Sequence, residues 1–164
     1  KLLTSSLGLR AGDQIVIATK SSASSKAKML STTADGAHLK TTSSMTISDD
    51  SVILPENLPS DAAVFDVEQG ISAGTFALKE INNGYLYGAY DADRTINTLS
   101  FKDKKDASAS WYISIDSKSS AANAYAYYNN TEYRYLNNYF GSKFNFVNVL
   151  SKDSYYYIYY IDGK

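Results

Sequence analysis

The chain contains no cysteine. Disulfides, zinc–thiolate sites, iron–sulfur clusters and cysteine nucleophiles are therefore excluded. Its single histidine, His38, rules out most histidine-rich metal sites and a two-histidine relay. Charge of either sign is weak: 16 basic residues stand against 17 acidic ones, a net charge of −1. No global field draws nucleic acid or an anionic membrane surface. No run approaches the ~18 consecutive apolar residues of a membrane span, so membrane insertion is not expected. No leader-like segment is seen, and the opening at Lys1 reads as a piece of something longer. Proline occurs only at Pro55 and Pro59. Methionine and long helix formers are scarce, and no stretch shows a sustained helical period.

What the chain has instead is tyrosine. There are 15, all at or after Tyr85, whereas the first 60 residues hold 19 serines and threonines. Tyr, Thr, Val, Ile and Phe suit a pleated, half-buried surface. Ser, Asn, Asp and Gly supply turns. With 164 residues, the chain is one domain spanning 1–164, large enough for a real core. The composition is all-β, and a Ser/Thr/Asn/Tyr-rich chain of low charge reads as an extracellular or cell-surface bacterial protein.

The pattern along the chain is one of short alternating segments. Gln14 to Ala18 is a buried strand. Ser21 to Ser25 is a polar loop. Lys28 to Ser31 and His38 to Thr41 flank an Asp35-Gly36 hairpin signal. Met45 to Ile47 and Val52 to Leu54 are two short strands about Asp49-Asp50, and Pro55 to Ser60 is a break. Val64 to Glu68, Thr75 to Lys79, Tyr85 to Tyr87 and Leu99 to Phe101 follow. The rest are Trp111 to Ile115, Tyr125 to Tyr128, Tyr133 to Leu136, Phe144 to Val149 and Tyr155 to Ile161. Any helix is a single turn, near residues 4–10 or 103–109. Phe65 and Trp111 open similar strands 46 residues apart, and Leu86 and Leu136 lie 50 apart. A fainter copy runs through Gln14, Met29 and His38. Three copies of four short strands predict a closed, β-trefoil-like barrel, with Tyr157 to Ile161 pairing near Gln14 to Ala18. A two-sheet β-sandwich is the alternative.

The strings Ala63-Val-Phe-Asp-Val-Glu, Ala73-Gly-Thr-Phe-Ala-Leu-Lys, Asn83-Gly-Tyr-Leu-Tyr-Gly-Ala and Ser110-Trp-Tyr-Ile-Ser-Ile resemble a β-barrel accessory module of large secreted or surface proteins of gut bacteria. Leu9-Arg-Ala-Gly-Asp-Gln-Ile-Val-Ile-Ala resembles its opening strand, and Tyr133-Arg-Tyr-Leu-Asn a later one. The resemblance implies an accessory role beside nuclease, glycan-active or adhesin-like domains of a parent protein. It supplies no catalytic residues. The tyrosine load after residue 123 departs from the module.

No phosphate-binding loop or nucleophile elbow is present. His38 reads as a surface histidine on a strand. The only glutamates, Glu56, Glu68, Glu80 and Glu132, form no assignable carboxylate pair. Asp91 and Asp93 could bind calcium only through an incomplete loop, so a plain turn is the simpler reading. No catalytic residue, metal or cofactor is expected. Binding chemistry remains, since aromatic rings stack on sugars and amides bond their hydroxyls. The candidate glycan-binding residues are Tyr133, Tyr135, Asn137, Asn138, Tyr139 and Phe140, with Tyr85 and Tyr87. Alternation turns Leu86 inward and Tyr85 and Tyr87 outward or into a second layer. It also puts Arg134 on the inward face with Leu136, which suggests a bulge. Trp111 shares a face with Ile113 and Ile115 and is expected in the core. The leading functional expectation is carbohydrate binding or adhesion. The alternatives are a structural spacer without ligand and, third, nucleic-acid contact, which the near-neutral charge disfavours. Lys102, Lys104 and Lys105 form the only basic knot, and Asp103 and Asp106 dilute it.

Overall fold

The computed structural model describes residues 1–20 and 26–161; the loop expected at Ser21 to Ser25 lies outside them. Twelve strands run in chain order. They are β1 (Gln14–Lys20), β2 (Lys26–Asp35), β3 (His38–Thr46), β4 (Phe65–Gln69), β5 (Phe76–Glu80) and β6 (Gly84–Asp91). Then come β7 (Ile96–Lys102), β8 (Tyr112–Ile115), β9 (Ala122–Tyr127), β10 (Tyr133–Tyr139), β11 (Lys143–Val147) and β12 (Tyr157–Tyr160). Single 3-10 turns at Ser6–Gly8 and Ala107–Ala109 occupy the two places where one turn of helix was expected. A third, Pro55–Asn57, is set by Pro55 at its first position.

All twelve strands form one antiparallel sheet, ordered β7-β6-β5-β4-β1-β2-β3-β11-β10-β9-β8, with β12 added on β1. The two-sheet sandwich is not found. The expected pairing of the last strand is: Ile15 lies opposite Tyr160 and Ile17 opposite Ile158. The closed barrel needs correction. The ladders stop with β7 and β8 at the ends of the path. The remaining joins are single residue pairs. Phe76 and Trp111 exchange both backbone bonds, at 2.9 and 2.8 Å, and Ala122 N–H donates to Tyr156 O at 2.8 Å. Beyond these single contacts no ladder joins β5 to β8 or β9 to β12, and the sheet is not closed. A second correction concerns Val52 to Leu54. Only Ile53 pairs, in a lone parallel bridge to Ile161, while Met45 and Thr46 complete β3.

The core follows from alternation. Ile15, Ile17, Leu30, Phe65, Leu86, Trp111, Leu136, Phe146 and Ile158 are all buried in one apolar cluster. Trp111 is fully buried. Its indole Nε1–H donates to Leu86 O at 2.9 Å, and its ring meets Phe146 edge-on at 5.9 Å. Gly88 is required here, since a Cβ at that position would lie 2.3 Å from the Phe146 ring. The opposite face of β1 and β12 builds a second cluster from Val16, Met29, Ile47, Ile53, Tyr159 and Ile161. This is why the last strand is aromatic on both faces. Tyr156 is buried in the main core. Its hydroxyl accepts from Ala124 N–H at 2.9 Å and donates to Leu136 O at 3.1 Å, so both polar functions are satisfied.

Candidate tyrosine surface and adjoining groove

The segment Ala122 to Tyr127 sets the site. In a strand, successive side chains point to opposite faces. Ala122, Ala124 and Ala126 are buried against the core, which leaves Tyr125 and Tyr127 on the outer face. The neighbouring strands are in register to add to them. Tyr112 of β8 lies opposite Tyr125, and Tyr133 and Tyr135 of β10 lie opposite Tyr127 and Tyr125. Five tyrosines from three strands thus share one face.

Their rings touch throughout. Tyr112 stacks on Tyr125 at 4.9 Å with an interplanar angle of 13°. Tyr133 sits 4.8 Å from Tyr125 and 5.4 Å from Tyr127. Tyr133 and Tyr135 meet edge to face at 5.7 Å. Such pairs add about 0.5–1.5 kcal/mol each beyond their area. The rings are therefore held in place without being sealed: Tyr133 is 44% exposed and the other four are half-buried. Crowding affects the hydroxyls. A hydrogen bond with Tyr133, followed by burial, raises the Tyr135 hydroxyl above its ordinary value. Burial, then the nearby Tyr127 hydroxyl, raises that of Tyr125. A phenol hydroxyl can both donate and accept a hydrogen bond.

Tyr127 also borders a groove of about 410 Å³ between β6, the Ala107–Ala109 turn and the β9–β10 turn. Tyr87, Tyr128, Asn129, Lys102, Asp106 and Ser108 are among its walls. Lys102 Nζ lies 2.6 Å from both Asp106 Oδ2 and Ser108 Oγ and 4.6 Å from the Tyr87 ring centre. Burial pushes the Asp106 carboxyl up, but hydrogen bonds from Lys102 and Ser108 outweigh it and hold the group below its ordinary range. Opposite, Asn129 Oδ1 accepts from Thr131 N–H at 2.9 Å and Glu132 N–H at 2.7 Å, fixing the turn. The Tyr128 hydroxyl donates to Glu132. Arg134 lies over Tyr90 at 4.1 Å and Tyr128 at 5.2 Å. This stacking, not a bulge, accommodates its inward position, since β9 and β10 pair without a register shift.

The expected site residues divide. Tyr133 and Tyr135 belong to the tyrosine face, and Tyr87 reaches it through the groove. Tyr85 does not. It is buried with Ala77 and Ala109, and its hydroxyl donates to Glu68 Oε1 at 2.9 Å. Asn137 and Asn138 are also corrected, being 0% and 5% exposed. Asn137 Nδ2 donates to Asn145 Oδ1 at 2.8 Å and Ser151 Oγ at 3.0 Å, while its Oδ1 accepts from Ser151 N–H at 2.9 Å. Asn138 Nδ2 donates to Tyr155 O at 2.6 Å, and its Oδ1 accepts from Gly141 N–H at 2.8 Å. Both amides pin loops and leave little for a ligand. Tyr139 and Phe140 pair with each other at the other end of β10, 4.8 Å apart.

Tyr112, Tyr125, Tyr127 and Tyr128 were not among the candidates. The signal for them was present in Ala124-Tyr125-Ala126-Tyr127, where small residues alternate with rings. Asp91 Oδ1 accepts from Asp93 N–H at 3.0 Å and Arg94 N–H at 3.3 Å, a plain carboxylate-capped turn. No group of three potential metal ligands occurs among the described residues. His38 is half-buried, and burial, then Lys143, lowers its pKa against the opposing pull of Asp35. No helix among the described residues is long and apolar enough to cross a membrane. Comparison with known protein families finds no match, and comparison with curated proteins finds none either.

Proposed function

We propose that this chain is a non-catalytic, carbohydrate-binding or adhesive module of a secreted bacterial protein, working beside other domains of its parent. The observation that carries the reading is the set of five contacting tyrosines on the outer face of β8, β9 and β10. The inner face of β9 is filled by alanines against the core, so these rings lie outside the core rather than filling it. Rings supply apolar surface to a sugar face, and phenol hydroxyls at the rim supply hydrogen bonds. The groove past Tyr127 adds Tyr87, Lys102 and Asp106 for hydroxyl recognition. A glycan array with the chain and with Tyr127→Ala tests this. Hits that vanish in the variant support it; a silent array favours the spacer reading. Binding to single-stranded DNA in place of sugars would favour nucleic-acid contact.

The finer architecture belongs to the same proposal. We read the strands as three four-strand units, β1–β4, β5–β8 and β9–β12, in a trefoil-like arrangement. In each unit the middle two strands form a hairpin. The first strand meets the fourth through the β1–β4 ladder, the Phe76–Trp111 pair and the Ala122–Tyr156 bond. Leu30, Leu86 and Leu136, one from each hairpin, are all fully buried.

A further inference from the structure

Alternation fixes what else the tyrosine face presents. Beside its five rings, β8 turns exposed Ser114 outward, opposite half-buried Asn123 of β9. On the other side Tyr135 lies opposite Val147 of β11, which is half-buried. None of these side chains is charged. Further along β10 the face ends at Asn137, which is fully buried where its amide holds Ser151 of the loop after β11.

The charged groups of the adjoining groove and turn are engaged. Lys102 is held by Asp106 and Ser108. Glu132 accepts from the Tyr128 hydroxyl. Arg134 faces inward, against the rings of Tyr90 and Tyr128. A carboxylate or sulfate laid on the tyrosines would give up water and meet no cation, and an unpaired charge loses far more by desolvation than a hydroxyl does. A sugar hydroxyl keeps its hydrogen bonds, because the phenols, the Ser114 hydroxyl and the Asn123 amide all offer donors and acceptors.

The extent of the face bears on the length of its ligand. Adjacent strands lie about 4.8 Å apart, so the rings of Tyr112, Tyr125 and Tyr133 or Tyr135 reach about 10 Å across three strands. Tyr127 and Tyr133 form a second row two residues along β9 and β10. This surface is wider than one sugar ring. It is an outer sheet face and not a socket, so a chain can cross it without ending there. We infer, building on the reading of this face as a sugar surface, that its ligand is an internal stretch of an uncharged polysaccharide, and that chains bearing carboxylates or sulfates are rejected.

Affinity electrophoresis of the chain tests this, in gels holding xylan, mannan, a mixed-linkage β-glucan, polygalacturonate, or polygalacturonate after reduction of its carboxyl groups. At least one neutral polymer is expected to retard the chain. That retardation should be the same at low and high salt, since no ion pair carries it. It should survive an excess of the matching monosaccharide and be lost in Tyr133→Ala. The Tyr133 ring is 44% exposed, and circular dichroism checks that its removal leaves the fold intact. Carboxyl reduction of polygalacturonate is expected to strengthen its retardation severalfold. Salt-sensitive retardation by polygalacturonate that exceeds that of every neutral polymer and is lost in Tyr133→Ala would overturn the inference and leave the sugar reading standing. So would full competition by a monosaccharide. Absence of retardation by every polymer would overturn the inference together with the reading beneath it.

Discussion

Removing the indole of Trp111 should be among the most damaging single changes in this chain. The residue is fully buried, packs edge-on against Phe146 and donates to the Leu86 carbonyl at 2.9 Å. Its backbone also exchanges both hydrogen bonds with Phe76, the one point where β5 meets the start of β8. Trp111→Ala leaves a cavity among aromatic and aliphatic side chains and is expected to cost about 3–5 kcal/mol. A domain with about 5–15 kcal/mol of stability loses a large share of it. Trp111→Phe keeps most of the apolar volume but leaves the Leu86 carbonyl without its buried donor, at about 1–3 kcal/mol. The two variants therefore separate packing from the hydrogen bond. Urea unfolding followed by circular dichroism measures both, with the slope of the transition checked for constancy. In the wild type the only tryptophan should emit blue-shifted light that iodide quenches poorly. A Trp111→Ala loss below about 1 kcal/mol, or emission like that of free tryptophan, would refute the reasoning.

Gly88→Ala should destabilise by about 1–3 kcal/mol, since its Cβ would lie 2.3 Å from the Phe146 ring and two packed strands would have to shift; thermal unfolding reads this. Asp49 governs part of the acid response. Hydrogen bonding from Lys20 is the chief cause holding its carboxyl below the ordinary value of 3.8, with Tyr159 adding to it against burial. A depressed folded pKa means stability that is present above the unfolded pKa and lost as pH falls through the folded one. Asp49→Asn should therefore flatten the decline in stability below about pH 4, measured as Tm against pH. Asn137→Ala should destabilise the chain, because it removes the buried amide that bonds half-buried Asn145 and Ser151, and should leave glycan binding by the tyrosine face intact.

The parts of the fold legible in the sequence were those decided by local alternation and turn residues. The Gly36 hairpin and the inward Trp111 follow from a period of two residues and from turn residues such as Gly36, while the pairing of the last strand with Gln14 to Ala18 came from the spacing of the repeated segments. Closure was not legible, because it depends on how far two distant antiparallel strands stay paired. At Phe76–Trp111 that turns out to be one pair. The site was half legible. A run such as Asn137-Asn138 beside aromatics looks the same whether its amides face a ligand or a loop. Only the positions of Ser151, Ser154 and Tyr155, which are 14 to 17 residues away, decide it. Tyr112 and Tyr125 become neighbours only through the β8–β9 register. The alternation of Ala124 and Ala126 with Tyr125 and Tyr127 was the one local sign that the rings face outward.

The central claim is that the β8–β10 tyrosines form a sugar-binding surface. Its most direct test is the ring resonances of selectively labelled tyrosines, recorded during titration with the glycan that binds tightest in the array. Shifts confined to Tyr87, Tyr112, Tyr125, Tyr127, Tyr133 and Tyr135, with buried Tyr85 and Tyr156 unmoved, are the predicted result. Unmoved rings on that face under saturating glycan, or shifts confined to tyrosines elsewhere, would contradict it.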